Sequence, residues 1–229
     1  MFDITVIIPS YNNIKLLTNC INSFNYFCTE NIKLHFIVIE NTSFIEYKDS
    51  FEKKYSRLKV ISNNTTEVGS DANASAICKG IKYCDTDLVF ICHNDTLVCH
   101  KNFFKELVNK INEDYKLVGF RIDKSRVKAI HISGLLTYKY IVDNSQIYKN
   151  NKMDVGDGIT VFCRENNLNI FCFENTFNGL ELKTNLPIKK YHDYSIDKNN
   201  NIIFSHCGRG SSKKDRLASW YKFCNSILL

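Results

Sequence analysis

An α/β fold, with a mostly parallel central sheet flanked by helices, is predicted by two patterns in the first half of the chain and a change of rhythm after it. Short β-branched apolar runs alternate with stretches whose apolar residues recur every three or four positions, as in successive βαβ units. Each apolar run then stops in polar residues. After residue 115 the alternation gives way to an irregular second half. The 229 residues suit one large domain, residues 1–229, divided near residue 115.

Residues 4–8 form a continuous apolar run closed by Pro9, and 35–40, 58–62 and 87–92 repeat the pattern. These read as four buried strands, because β-branched runs of this length bounded by turn formers fit a sheet covered on both faces. Leu16, Leu17, Cys20, Ile21 and Phe24 recur at helical spacing between the first two strands. A second helix is predicted over 46–55. A third is predicted to begin at the capping residues Ser70 and Asp71, with Ala72, Ala76, Ile77, Gly80 and Ile81 on its inner face. Phe103, Phe104, Leu107, Val108 and Ile111 mark a fourth. Beyond these, 116–121, 129–137 and 169–173 read as strands, 159–165 and 214–228 as helices, and 143–152 as a polar loop.

Composition narrows the function classes only partly. Hydrophobic residues at 44% and charged residues at 24% are ordinary for a globular chain and exclude a disordered or collagen-like one. The net charge of +6 is scattered apart from Arg209, Lys213, Lys214 and Arg216. It suits an anionic small molecule or an anionic membrane as well as nucleic acid, so charge selects no partner. No basic helix or aromatic RNA-reading motif stands out, and nucleic acid is not expected. The ten cysteines include no C-x-x-C pair and read as reduced, mostly buried thiols. Cys92-His93 and Cys99-His100 would need an unusual turn to share a metal, since strand neighbours point to opposite faces. Met1 leads into the first strand without a basic leader, and no apolar stretch approaches the ~20 residues of a membrane span, so a cytoplasmic protein is expected.

In an open parallel sheet, ligands bind beyond the carboxyl ends of the strands, where loop backbones and helix N-termini leave free donors. That rule selects Pro9-Ser10-Tyr11-Asn12, Glu40-Asn41-Thr42, Asn63-Asn64 and His93-Asn94-Asp95. Asp95 offers the hard carboxylate oxygen that a divalent ion on a diphosphate requires. Two further segments carry chemistry. Asp154-Val155-Gly156-Asp157 is a tight turn before a helix with two acids three residues apart, and Phe204-Ser205-His206-Cys207-Gly208-Arg209-Gly210 joins a histidine to a basic, Gly-rich loop.

Taken in this order, the chain resembles the family 2 glycosyltransferases of the GT-A fold over nearly its whole length. The likeness rests on the opening Val6-Ile7-Ile8-Pro9-Ser10-Tyr11-Asn12, on Glu40 in the slot of a base-binding acid, and on Gly69 to Gly80 in that of a Gly-led helix. His93-Asn94-Asp95 then stands where the family has its metal-binding D-x-D motif. The resemblance implies a nucleotide-sugar-binding half over 1–115 and an acceptor-binding and catalytic-base half over 116–229. It implies Pro9, Ser10, Tyr11, Asn12, Glu40, Asn94, Asp95 and Arg209 as donor-binding residues, with Glu40 accepting from a uracil N–H and Tyr11 stacking on the base. It further implies a cofactor, Mn2+ or Mg2+, held by Asp95 and His206, and Asp157 or, second, Asp154 as the base that deprotonates an acceptor hydroxyl. His93 departs from the pattern by replacing the first Asp, and both a ligand role and a plain loop role stay open for it.

The expected reaction is inverting transfer of a sugar from a nucleoside-diphosphate sugar, UDP-linked by resemblance, to a glycan or lipid-linked glycan. A noncatalytic nucleotide- or carbohydrate-binding relative is the alternative, kept open by His93. A sugar nucleotidyltransferase fits less well, since the turn after the first strand has no Gly-rich phosphate loop. Leu217, Trp220, Tyr221, Cys224 and Ile227 on the closing helix read as a core-packing face; beside Lys213, Lys214 and Arg216 they would otherwise suit peripheral contact with the inner face of an anionic membrane.

Overall fold

Strand β1 (Phe2–Ser10) is apolar on both sides because both of its faces are covered. Ile4, Val6 and Ile8 enter one core with Leu17, Ile21 and Phe24 of helix α1 (Ile14–Phe27). Ile7 enters a second core with Ala76, Ile77 and Ile81 of helix α3 (Gly69–Ile81). This alternation of faces along a strand buries the continuous run that the sequence displays. The computed structural model describes residues 1–42, 45–125, 127–182, 192–208 and 214–228.

The chain continues through β2 (Ile32–Glu40), α2 (Lys48–Lys54), β3 (Leu58–Ser62), α3, β4 (Leu88–Cys92), β5 (Thr96–Val98), α4 (Phe103–Asn112), β6 (Leu117–Gly119), β7 (Ile122–Asp123), β8 (Ala129–Ile130) and β9 (Gly134–Tyr138). Helices α5 (Lys139–Asp143) and α6 (Asp157–Glu165), strands β10 (Ile170–Cys172), β11 (Asp193–Ile196) and β12 (Ile202–His206), and α7 (Lys214–Leu228) complete it. The main sheet has the order β10-β6-β9-β4-β1-β2-β3, with β9 antiparallel to both neighbours and the remaining pairs parallel. A three-stranded antiparallel sheet, β11-β12-β5, carries the second half of the chain back to the loop after β4. β1 lies between β2 and β4, so the chain leaves it in one direction and returns on the other side. Ligands bind at such a switch point in open α/β sheets.

Four expectations need correction. The segment 129–137 is two strands: β8 pairs with β7, while β9 joins the main sheet. The break is a turn in which the Ser133 N–H donates to His131 Nδ1 at 3.2 Å, and it lets Gly134 pass Phe204. A Cβ on Gly134 would stand 2.5 Å from the Phe204 ring. α3 begins one residue before the expected caps, with no side-chain cap, so Ser70 and Asp71 lie in its first turn. α2 is shorter than 46–55. Strands β5, β11 and β12 have no counterpart in the sequence reading, because strands of three to five residues lack a period long enough to recognise.

On α7, Trp220, Phe223 and Cys224 are buried with Leu16, Leu97 and Tyr194 in a third core. The apolar residues considered for membrane contact are therefore turned largely onto the protein. No described helix is long and apolar enough to cross a membrane. All ten cysteines are free thiols, and seven of them are buried.

An aromatic cluster joins the two larger sheets. Phe204 of β12 lies 4.4 Å from Phe120, 5.8 Å from Phe103 and 6.0 Å from Phe90 of β4, ring centre to ring centre. Phe204→Ala should cost about 3–5 kcal/mol in urea unfolding, through lost burial and the cavity left behind. A loss below about 1 kcal/mol would show that the cluster does not hold the sheets together.

Candidate functional site

The loop after β4 is shaped from within. The carbonyl of His93 accepts from Thr96 Oγ1 at 2.8 Å and from Cys20 Sγ at 3.8 Å, and Asn94 Nδ2 donates to Ser10 Oγ at 3.2 Å. This last bond ties the ends of β1 and β4 together at the switch point. Pro9 and Ser10 are buried as the last residues of β1, whereas the Tyr11 ring is 68% exposed and Asn12 adopts a left-handed φ of 49°.

Glu40 lies at the end of β2 and is fully buried. Its Oε1 accepts the Asn12 backbone N–H at 2.9 Å, and its Oε2 accepts the Tyr47 hydroxyl at 2.5 Å. Burial first, and the Glu40 carboxylate second, drive the Tyr47 phenol far above its ordinary value, so it remains a donor. Oε1 of Glu40 thus holds the turn that bears Tyr11 and Asn12, and Oε2 holds the segment ahead of α2. Beside it, Asn63 Nδ2 donates to Asn41 Oδ1 at 2.8 Å.

Asp95 is buried at the start of β5, and β12 brings His206 to it. His206 stands opposite Thr96 in the antiparallel register, and the Cys207 N–H donates to the Asp95 carbonyl at 2.9 Å. His206 Nε2 then lies 3.4 Å from Asp95 Oδ1, and His206 Nδ1 lies 3.3 Å from Oδ2 of Asp193, its direct cross-strand partner on β11. Arg121 continues the chain of charges, donating to Asp193 Oδ2 at 2.7 Å while its guanidinium sits 3.7 Å over the Phe177 ring.

His93 closes the group, its Nδ1 4.0 Å from Asp95 Oδ1. One donor atom each from His93, Asp95 and His206 lie within 4.8 Å of one another. His93 Nε2 is buried and has no hydrogen-bond partner among the described residues. Burial pushes the His93 imidazole down to about 4, so it is neutral and can act as a ligand. Burial alone would also lower His206, but Asp95 and then Asp193 outweigh it and raise that imidazole to about 9. Asp95 is held below the usual carboxylate range because His206 overcomes the opposing effect of its own burial. A carboxylate, a neutral imidazole and a second imidazole braced by a carboxylate on its far nitrogen fit a divalent cation. The His131 ring lies 5.9 Å from both the His93 and the His206 ring and borders the same space.

The acidic turn is built into the start of α6. The Asp157 carboxylate accepts the Asp154 N–H at 2.8 Å, and the Asp154 carboxylate accepts the Val155 N–H at 2.9 Å. Asp157 is buried and Asp154 half-buried. Gly156, at φ 79°, packs so closely on Ile132 that a Cβ would stand 2.5 Å from its Cδ1, which sets the turn one residue from His131. Arg209 and Lys213 lie outside the described residues.

Asp193, Arg121, His131 and Tyr47 did not emerge from the sequence. Tyr47 and His131 sit in segments without a motif, and Asp193 is recognisable only once β11 is paired with β12. The late His206 motif and the replacement of the first acid by His93 were the signals that imidazole enters the site.

Residues 5–171 match the family model described as Glycosyl transferase family 2. No curated protein matches the chain in sequence. Among solved structures, the chain is similar to the mannosyltransferase PcManGT from Pyrobaculum calidifontis in complex with GDP-Man and Mn2+, with a TM-score of 0.53 and 13% identity over 74% of this chain and 54% of that one. It is similar to S. aureus TarS, with a TM-score of 0.55 and 16% identity over 76% of this chain and 35% of that one. Glucosyl-3-phosphoglycerate synthase from Mycobacterium tuberculosis, in complex with Mn2+, uridine-diphosphate-glucose and phosphoglyceric acid, gives a TM-score of 0.54 and 15% identity over 75% and 69%. These likenesses establish the GT-A fold. The chain spans 54% and 35% of the lengths of the first two.

Two measurements test the site as built. In the absence of a cation, the raised His206 contributes its ion pairs fully below pH 6.5 and loses them as pH climbs through about 9. Cation binding runs the other way, since the imidazole must give up its proton. Apparent Mn2+ affinity should therefore rise by about tenfold per pH unit between 6.5 and 9, with one proton released, as read by calorimetry in buffers of different ionisation enthalpy. A pH-independent affinity would remove His206 from the ligand set. Separately, Tyr47→Phe should cost about 1–3 kcal/mol in denaturant unfolding by stripping a donor from buried Glu40; an unchanged midpoint would show that bond to be dispensable.

Proposed function

The chain belongs to glycosyl transferase family 2, and on that premise we propose that it is an inverting transferase moving a sugar from a nucleoside-diphosphate donor, UDP-linked, to a hydroxyl of a glycan or lipid-linked glycan. The observation that carries this reading is the convergence of His93, Asp95 and His206 beyond the carboxyl end of β4, tied to the β1 turn through Asn94 and Ser10. A diphosphate bound to a cation there would lie beside the turn that presents Tyr11.

On the donor side, Pro9 and Ser10 end the strand, and the exposed face of Tyr11 is available to stack on the base. Glu40 holds Asn12 and the turn, and each of its oxygens keeps a second lone pair with which to accept a uracil ring N–H. Arg209 is assigned to the diphosphate charge by its place in the sequence. When bound, a divalent cation on Asp95 and His206 supplies positive charge to the departing diphosphate.

Asp157 is the proposed base. The acceptor oxygen bonds to the anomeric carbon as the bond from that carbon to the diphosphate oxygen breaks, and the acceptor proton passes to the Asp157 carboxylate. The Asp154 N–H fixes that carboxylate at the head of α6, and Gly156 packs the turn on Ile132. Asp154 is the second candidate. A noncatalytic binding relative is disfavoured because His93, the residue that argued for it, lies within the ligand group.

Calorimetric titration of UDP, GDP and CMP, with and without Mn2+, tests the donor site. Cation-dependent binding of UDP is expected, with loss in Asp95→Asn; no nucleotide binding under any condition would sink the transferase reading. For the base, Asp157→Asn should lower kcat by about 10²- to 10⁴-fold and leave the donor Kd unchanged. A larger kcat loss in Asp154→Asn would transfer the role to that residue.

A further inference from the structure

Resting on the reading of this site as the donor's cation site, we propose that it is built for an imidazole-accepting cation of the Co2+ and Zn2+ kind and discriminates against Mg2+. The donor set is the reason. Of the three side chains whose donor atoms lie within 4.8 Å of one another, two are imidazoles and one is a carboxylate. Mg2+ takes oxygen ligands in near-ideal octahedral geometry and gives up its waters reluctantly, and Mn2+ shares its taste for oxygen, whereas imidazole suits Zn2+ and the later first-row ions.

His93 is the residue that tips the balance. Its Nε2 is buried with no hydrogen-bond partner among the described residues, a costly state that a cation accepting imidazole would relieve. A carboxylate in the same place would add charge and a hard oxygen; a neutral imidazole adds neither. His206 is equally committed to nitrogen ligation. Asp193 lies at 3.3 Å from Nδ1 and is itself clamped by Arg121, leaving Nε2 facing Asp95. An outer carboxylate of this kind fixes the tautomer and raises the basicity of the ligating nitrogen. The His131 ring, 5.9 Å from the other two, borders the same space with a third imidazole.

The experiment is a direct binding measurement on the whole chain without nucleotide or turnover. Co2+ titration followed by its visible absorption should show a single site, and Mg2+ in about 100-fold excess should fail to displace the ion. His93→Asp should shift the competition toward Mg2+ by about tenfold or more, and Asp193→Asn should weaken Co2+ binding by about 10- to 100-fold. Absence of Co2+ binding, or displacement by an equal concentration of Mg2+, would overturn the inference in the wild type alone, independent of how either variant folds. So would an unchanged Co2+ to Mg2+ preference in His93→Asp whose far-UV circular dichroism and unfolding midpoint match the wild type. Nucleotide binding separates the two readings. UDP binding supported equally by Mg2+ and Co2+ rejects the cation preference and keeps the transferase, while selective Co2+ binding without any nucleotide binding does the reverse.

Discussion

His206 meets Asp95 because β12 pairs with β5, and nearly every other property of the site follows from that pairing. The register sets His206 opposite Thr96 and Asp193 opposite His206, so one imidazole receives a carboxylate on each ring nitrogen. Backbone bonds do the positioning, including the one from Cys207 N–H to the Asp95 carbonyl. Side-chain rotation alone could not keep four charged groups in line. The aromatic cluster around Phe204, two residues before His206, anchors the small sheet to the large one by burial.

The buried charges alternate in sign: Asp95, His206, Asp193 and Arg121. Each costs desolvation, and each is compensated by the next, the condition under which buried ion pairs are tolerated. Such a chain is a poor source of net stability and a good source of fixed geometry. It also sets up a competition, since the proton on His206 occupies the place that the proposed cation would take. His93 stays outside the chain of charge, neutral by burial and with its Nε2 unpartnered among the described residues. The site therefore combines one group whose charge is compensated within the protein and one left for a ligand to satisfy.

On the donor side the logic is similar but the charge is used differently. Glu40 is buried without a cationic partner among the described residues, and it is held by two neutral donors, the Asn12 amide and the Tyr47 hydroxyl. Its work is conformational: it fixes a turn in which Asn12 has a left-handed φ and Tyr11 faces outward. A residue selected from the sequence as a ligand contact is thus also a structural support of the loop that bears the other contacts.

Much of the first half was legible in the sequence. β1 to β4 and their helices produce long apolar runs and clear helical periods, because a sheet covered on both faces demands them. The strand-end rule then singled out Asp95 and the β1 turn, and the two late motifs supplied His206 and Asp157. Hidden in the sequence were β5, β11 and β12, which are too short to carry a period, and with them the contacts of Asp193 and Arg121. The single expected strand over 129–137 hid the turn that places His131. Local pattern records which face of an element is buried; which distant elements pair is decided by register and packing summed over the whole chain. His93, Asp95 and His206 were therefore readable one by one, and only the tertiary structure decided that they meet and that Asp193 and Arg121 join them.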